Sequence, residues 1–204
     1  DEFIDEMNNG QFDYDFLKDI PKREYYLEGY LFPATYQFEE GATAHDVICV
    51  MLDRFQIAYD NILKNVSSDY TTDEIITIAS MVESEIQVDS ERSIAAGVIY
   101  NRLAQGMKLQ IDSTVQYALG TRNEVVTYED LEIDSPYNTY LYAGLPAGPI
   151  CNPGEAALEA AAHTDDNDYL YYVVQERGSG EHVITNTYED FLKDKDEYKN
   201  SFNN

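Results

Sequence analysis

The chain has 204 residues, enough to bury a sizeable core in a single domain. Hydrophobic residues make up 44% of it and 18 are tyrosine, which argues against disorder despite a net charge of −26. That charge works against nucleic acid or anionic lipid as a partner, because lysine and arginine dominate phosphate contacts. A neutral or zwitterionic substrate fits better, and the acidity otherwise serves solubility.

Residues 1–27 are polar and aromatic and read as one or two short helices leading into the domain. LEGYLFPATYQF follows as an extended or turning segment, since Pro33 forbids a long helix. A long helix is expected from Gly41 to Lys64, capped by Thr43 and striped by Val47, Val50, Met51, Ala58 and Ile62. Thr71 and Glu74 form a capping box for the next helix, whose apolar face is Ile75, Ile78, Ala79, Val82 and Ile86. Ser90 reads as the cap of a helix carrying Ile94, Ala95, Val98, Ile99 and Leu103, which Gly106 ends. Met107, Leu109 and Ile111 alternate with Lys108, Gln110 and Asp112, the periodicity of a strand with one wet face.

A short helix, STVQYAL, then stops at Gly120. Residues 134–154 hold four of the six prolines and lack periodicity, and a loop of that length is usually functional or disordered. Its rigid prolines and aromatics favour function. Asn152 reads as the cap of an alanine-rich helix with Pro153 at its first position, ending near His163. YLYYVVQ and HVITN flank ERGSGE as a β-hairpin, and a charged helix from Tyr188 to Lys199 follows. The expected architecture is α+β: a helical layer on a small, mainly antiparallel sheet, with a cleft between the helix of Glu85 and the SPYNTY loop.

No apolar run reaches the ~20 residues of a membrane span, and no export signal is visible. The chain opens at Asp1 in mid-pattern, so it is expected to be an excised piece. Cys49 and Cys151 belong to no CxxC or Cys/His cluster and are expected as unpaired thiols. His45, His163 and His182 lack metal-ligand spacing, and no phosphate-cradling glycine motif occurs, so neither metal nor cofactor is expected.

Among the acids, Glu85 falls at the border of an apolar helix face beside Ile78 and Met81, and Glu83 at the opposite border. Two residues apart on a helix, they point away from each other and cannot act as a close dyad. A half-buried carboxyl pays desolvation when charged, so it holds its proton and suits a general acid. The wheel does not choose between Glu83 and Glu85, and a border glutamate is more often simply solvated. Asp112 could pair with Glu85 in a two-acid glycosidase, or it could cap STVQYAL together with Ser113. The tyrosines of YNTYLY could stack on sugar faces or anchor the loop in the core.

LEGYLFPATY, ASMVESE, SERSIAAGVIYNRL, GMKLQIDSTVQYALG, SPYNTYLYAGLPAGPICNPG, ALEAAAH and YLYYVV occur in the order found in the endolytic murein transglycosylase family. The chain resembles that YceG-like family over roughly residues 28 to 190. The resemblance implies a membrane-anchored lyase acting outside the cytoplasmic membrane on peptidoglycan glycan strands, with no cofactor. It implies cleavage of the β-1,4 bond between N-acetylmuramic acid and N-acetylglucosamine without water, leaving a 1,6-anhydro end. It also selects Glu85, the second acid of E-x-E, as the catalytic residue. As cleft residues it implies Glu28, Gln110, Asp112, Ser113, Thr114, Tyr117, Tyr137, Asn138, Thr139, Tyr140, Gly144 and Leu145.

On this resemblance residues 1–27 are the end of a LysM-like or linker region and 28–204 the catalytic domain. The family's anchor and wall-binding region would lie ahead of Asp1, and cell-wall synthesis proteins are possible partners. Two other readings stand beside it. One is a pyridoxal-phosphate lyase, from the older family label aminodeoxychorismate lyase, with Lys108 as the one lysine in the motif-rich middle. The other is a non-catalytic glycan-binding module built on the tyrosine-rich loop.

Overall fold

A computed structural model describes residues 2–123, 125–176 and 178–201. Arg177 of the expected hairpin turn lies outside the described residues. The elements are α1 (Glu2–Asn9), a 3-10 turn (Asp15–Leu17), α2 (Ala44–Ala58) running into a π turn (Tyr59–Leu63), α3 (Thr72–Glu85), α4 (Asp89–Ala104), α5 (Asp112–Leu119), a 3-10 turn (Asp130–Glu132), α6 (Glu155–Ala162), β1 (Tyr171–Val174), β2 (His182–Thr185) and α7 (Tyr188–Ser201). The class is α+β, and among the described residues the strands form a single antiparallel hairpin in which Tyr171 faces Thr185 and Val174 faces His182. Among the described residues no helix is long and apolar enough to cross a membrane.

The centre of the molecule is α3. The expected stripe is too narrow, because Ile76, Thr77, Ser80 and Met81 are buried as well as Ile75, Ile78, Ala79 and Val82. Full burial of each large aliphatic side chain contributes about 1.5–3 kcal/mol. The small residues of α6 (Ala157, Ala160 and Ala161, all buried) let that helix pack closely on α3 and α4. The two buried hydroxyls are satisfied at once: Thr77 donates to the Asp73 carbonyl at 2.8 Å, and Ser80 donates to the Thr77 carbonyl at 2.7 Å. Ser80 also accepts the Ile150 amide at 3.0 Å, which pins the proline-rich loop to the helix.

The chain before α2 joins the same core through Met7, Phe16, Leu17, Leu27 and Tyr30. Buried Arg23 pairs with Asp73 at 2.7 Å, and the Tyr30 hydroxyl donates to the same carboxylate at 2.7 Å. Gly29 needs its positive φ of 95°, and a Cβ there would come within 2.5 Å of the Pro149 ring.

Three sequence expectations fail locally, two of them because a long-range partner takes over. The segment 107–112 is no strand. Leu109 and Ile111 are buried between exposed Lys108 and Gln110, as alternation requires, but Gln110 sits at φ 54° and breaks the extended run. The segment is held instead by Thr139, whose carbonyl accepts the Gln110 amide and whose hydroxyl accepts the Ile111 amide. Ser90 does not cap α4, which starts one residue earlier with Val88 at the cap position. Asn152 does not cap α6, because its side-chain oxygen accepts the amides of Gly29 at 2.8 Å and Leu31 at 3.1 Å. Gly154 holds that cap position, and its amide donates to Glu83 at 3.1 Å.

Candidate active site

Glu85 is the last residue of α3, where Ile86 turns extended (φ −107°, ψ 113°) and buries its side chain. The half-buried Glu85 carboxylate accepts the backbone N–H of Ser113 at 3.1 Å, in the first turn of α5. Burial pushes the Glu85 carboxyl above its ordinary value. The contacts with Ser113 and the charge of His182 pull it back, while the neighbouring charge of Asp112 adds to the rise. The net direction is up.

Glu85 opens into a cavity of about 400 Å³. One wall is Arg102 of α4, Leu109, Gln110 and Asp112; the other is Tyr171, Tyr172 and His182 of the hairpin with Phe191 and Lys195 of α7. From the SPYNTY loop only Tyr140 reaches it, and its hydroxyl donates to Asp112. Burial and the nearby acids keep the hydroxyls of Tyr140 and Tyr172 protonated far above their usual range. Both are therefore neutral groups able to donate a proton in a hydrogen bond. Arg102 is committed to structure: it donates to the carbonyls of Leu170 at 2.6 Å and Leu109 at 2.7 Å, and its guanidinium lies 5.2 Å from the Tyr171 ring centroid.

Glu83 has a different environment. Its carboxylate receives both Arg92, at 3.0 Å, and the Gly154 amide. It joins the start of α6 to α4 and lines neither this cavity nor its neighbour.

The structure brings Glu85, Gln110, Asp112 and Tyr140 together in one cavity. Ser113, Tyr117 and Tyr137 line a neighbouring cavity of about 460 Å³, where the two tyrosine rings lie 4.7 Å apart. Ser113 links the two cavities, since its amide is on Glu85. Thr114, Asn138 and Thr139 are buried beneath. Thr114 and Thr139 share a hydroxyl contact at 2.9 Å, and Asn138 donates to the carbonyls of Leu131 and Ile133. They form the floor that fixes residues 110–112. Glu28 is half-buried, with its carboxyl pushed up by burial and its charge felt by Tyr117. Gly144, Leu145 and Glu28 line neither cavity, and Lys108 is exposed outside both.

Sequence reasoning overlooked the whole hairpin wall. YLYYVVQ is an unbroken aromatic and aliphatic run, and nothing local says that Tyr172 and His182 line Glu85's cavity. Both cysteines are free thiols, and Cys151 donates to the Ser80 carbonyl. Among the described residues no group of three or more His, Cys, Asp or Glu is arranged to hold a metal ion.

Fold and site together define a small helical α+β domain with one desolvated carboxylate facing an aromatic, polar cleft. The chain belongs to the YceG-like family, whose family model matches residues 2–197. It is 42% identical over 181 residues to the endolytic murein transglycosylase of Bacillus subtilis, covering 87% of this chain and 49% of that protein. It is 36% identical over 197 residues to that of Streptococcus pneumoniae, covering 91% of this chain and 35% of that one. The chain thus spans half or less of the length of these relatives. A crystal structure of a yceG-like protein from Listeria monocytogenes superposes with a TM-score of 0.80 at 35% identity, covering 94% of this chain and 66% of that one.

Proposed function

We propose that this domain is the catalytic part of an endolytic peptidoglycan transglycosylase, acting at the outer face of the cell membrane. The relatives' names supply the substrate class, and the state of Glu85 carries the chemistry. Glu85 holds a proton in a cleft and hands it to the glycosidic oxygen as the bond from that oxygen to C1 of N-acetylmuramic acid breaks. The C6 hydroxyl then attacks C1, and the Glu85 carboxylate takes the proton it releases. The ring closes to a 1,6-anhydro end, the glutamate regains its starting state, and no water is consumed. One acid suffices for both transfers, so the second carboxylate of an ordinary glycosidase is not needed.

The surroundings of Glu85 support this reading. The Ser113 amide at the start of α5 gives the carboxylate a partner after the first transfer, when it carries its charge. Neutral Tyr172 and the exposed Gln110 offer hydrogen bonds suited to hydroxyl and acetamido groups, and the Tyr140 oxygen can accept one. The adjoining cavity with Tyr117 and Tyr137 gives a strand room to continue past the cleaved bond.

Mass spectrometry of glycan strands digested by the protein tests this. Products one water lighter than the hydrolytic ones are expected from the wild type and none from Glu85→Gln. Ordinary reducing ends would instead make the protein a hydrolase and bring Asp112 forward as a second acid.

A further inference from the structure

His182 lines Glu85's cavity, and a single carboxylate holds it at two points. Its ring Nδ1 lies 2.8 Å from Glu91 Oε2, and its backbone N–H donates to Glu91 Oε1 at 3.1 Å. One carboxylate on α4 therefore grips both the main chain and the ring of a residue on β2. Buried on the hairpin, the His182 side chain is only 5% exposed. The Tyr172 ring meets it edge-on at 5.7 Å between centroids, which closes off rotation on that side.

A carboxylate only accepts hydrogen bonds, so Nδ1 carries a hydrogen, and in the neutral form of the ring the lone pair is then on Nε2. No described residue bonds to Nε2, although His182 lines the cavity that holds Glu85. In the same cavity Tyr172 keeps its hydroxyl proton, while Tyr140 gives its own to Asp112. The other side-chain acceptors there include Glu85 itself, Asp112, which takes the Tyr140 hydrogen, and the exposed Gln110. A pure packing role would not need the ring contact, because Glu91 could hold the hairpin through the backbone alone.

We propose that the Glu91–His182 pair is part of the substrate-binding machinery, presenting Nε2 as a fixed acceptor for an N–H or O–H of the sugar bound against Glu85. His182 then touches substrate directly, and Glu91 is a positioning residue that acts through it. This inference rests on the glycan-cleaving reading above.

The discriminating variant is His182→Asn, because the asparagine amide can occupy the place of Nδ1 and donate to Glu91 while nothing replaces Nε2. Binding of glycan strands is measured in the inactive Glu85→Gln background, with and without His182→Asn, and cleavage is measured in the otherwise wild-type protein. The expected result is binding weakened about ten-fold, as for one lost hydrogen bond in a desolvated site, and a matching loss in kcat/KM. The melting temperature should stay close to wild type. Glu91→Gln, which can still accept the Nδ1 hydrogen, should retain more activity than Glu91→Ala.

N-deacetylated strands separate the two donors. If the asparagine variant loses nothing further on them, the acetamido N–H is the group held; if the full loss persists, it is a hydroxyl. Unchanged binding and cleavage by a folded His182→Asn protein would overturn the inference. A wild-type protein that releases no anhydro ends would instead overturn the reading beneath it.

Discussion

Glu83 and Glu85 stand two residues apart on the same last turn of α3, yet their surroundings are opposite. Glu83 is tied into the protein: a guanidinium at 3.0 Å and a helix-starting amide at 3.1 Å converge on one of its oxygens and tie three helices together. Glu85 is incomplete: one amide meets it at 3.1 Å, its proton affinity is raised by burial, and it faces a cavity. The contrast shows where to look for chemistry in a strongly acidic chain. A carboxylate whose partners are all protein has a structural role; one that is desolvated and left short of partners keeps capacity for a substrate.

The largest effect that could break this comparison is on catalysis. Glu85→Gln should lower the release of anhydro ends by about 10²–10⁴-fold, the range for loss of a general acid, with the fold intact by circular dichroism. Glu83→Gln should do the reverse. It leaves Asp89 as the charged partner of Arg92, whose side chain is only 11% exposed, and should cost about 1–2 kcal/mol in urea unfolding while folded molecules keep their rate.

Titration sharpens the contrast. Because the folded protein binds the Glu85 proton more tightly than the unfolded chain does, that proton stabilises the fold at low pH. This contribution is lost as pH rises through the raised value. The melting temperature of Glu85→Gln should therefore gain on wild type as pH climbs out of the ordinary carboxylate range. A gap that is constant with pH would mean the carboxyl is not desolvated. Cleavage by wild type should decline over the same rise, since the acid must start protonated.

The smallest expected effect is Tyr140→Phe. It removes the hydroxyl that engages Asp112 in a partly open setting and should lower kcat/KM by a factor of about 2–5 with little change in stability.

The same contrast between local and distant partners explains how far the sequence could be read. Thr71 and Glu74 lie three residues apart and make the capping box the sequence predicts. The hairpin strands are separated by one short turn and pair as expected. Gly120 ends α5 with φ 67°. Where a side chain is claimed by something far away, local rules mislead: Asn152 is taken by the amides of Gly29 and Leu31, and residues 110–111 are taken by Thr139. The site divides in the same way. Glu85 and Asp112 stand near each other in sequence, and motif resemblance singles out Glu85. His182 enters through Glu91, 91 residues earlier, and helical or strand periodicity carries no trace of that contact.

The most direct test places the two glutamates side by side. Wild type, Glu83→Gln and Glu85→Gln are given the same glycan strands, and anhydro ends are counted per folded molecule. The account predicts wild-type yield from Glu83→Gln and almost none from Glu85→Gln. Anhydro ends from Glu85→Gln at the wild-type rate, or their loss with Glu83→Gln alone, would contradict it.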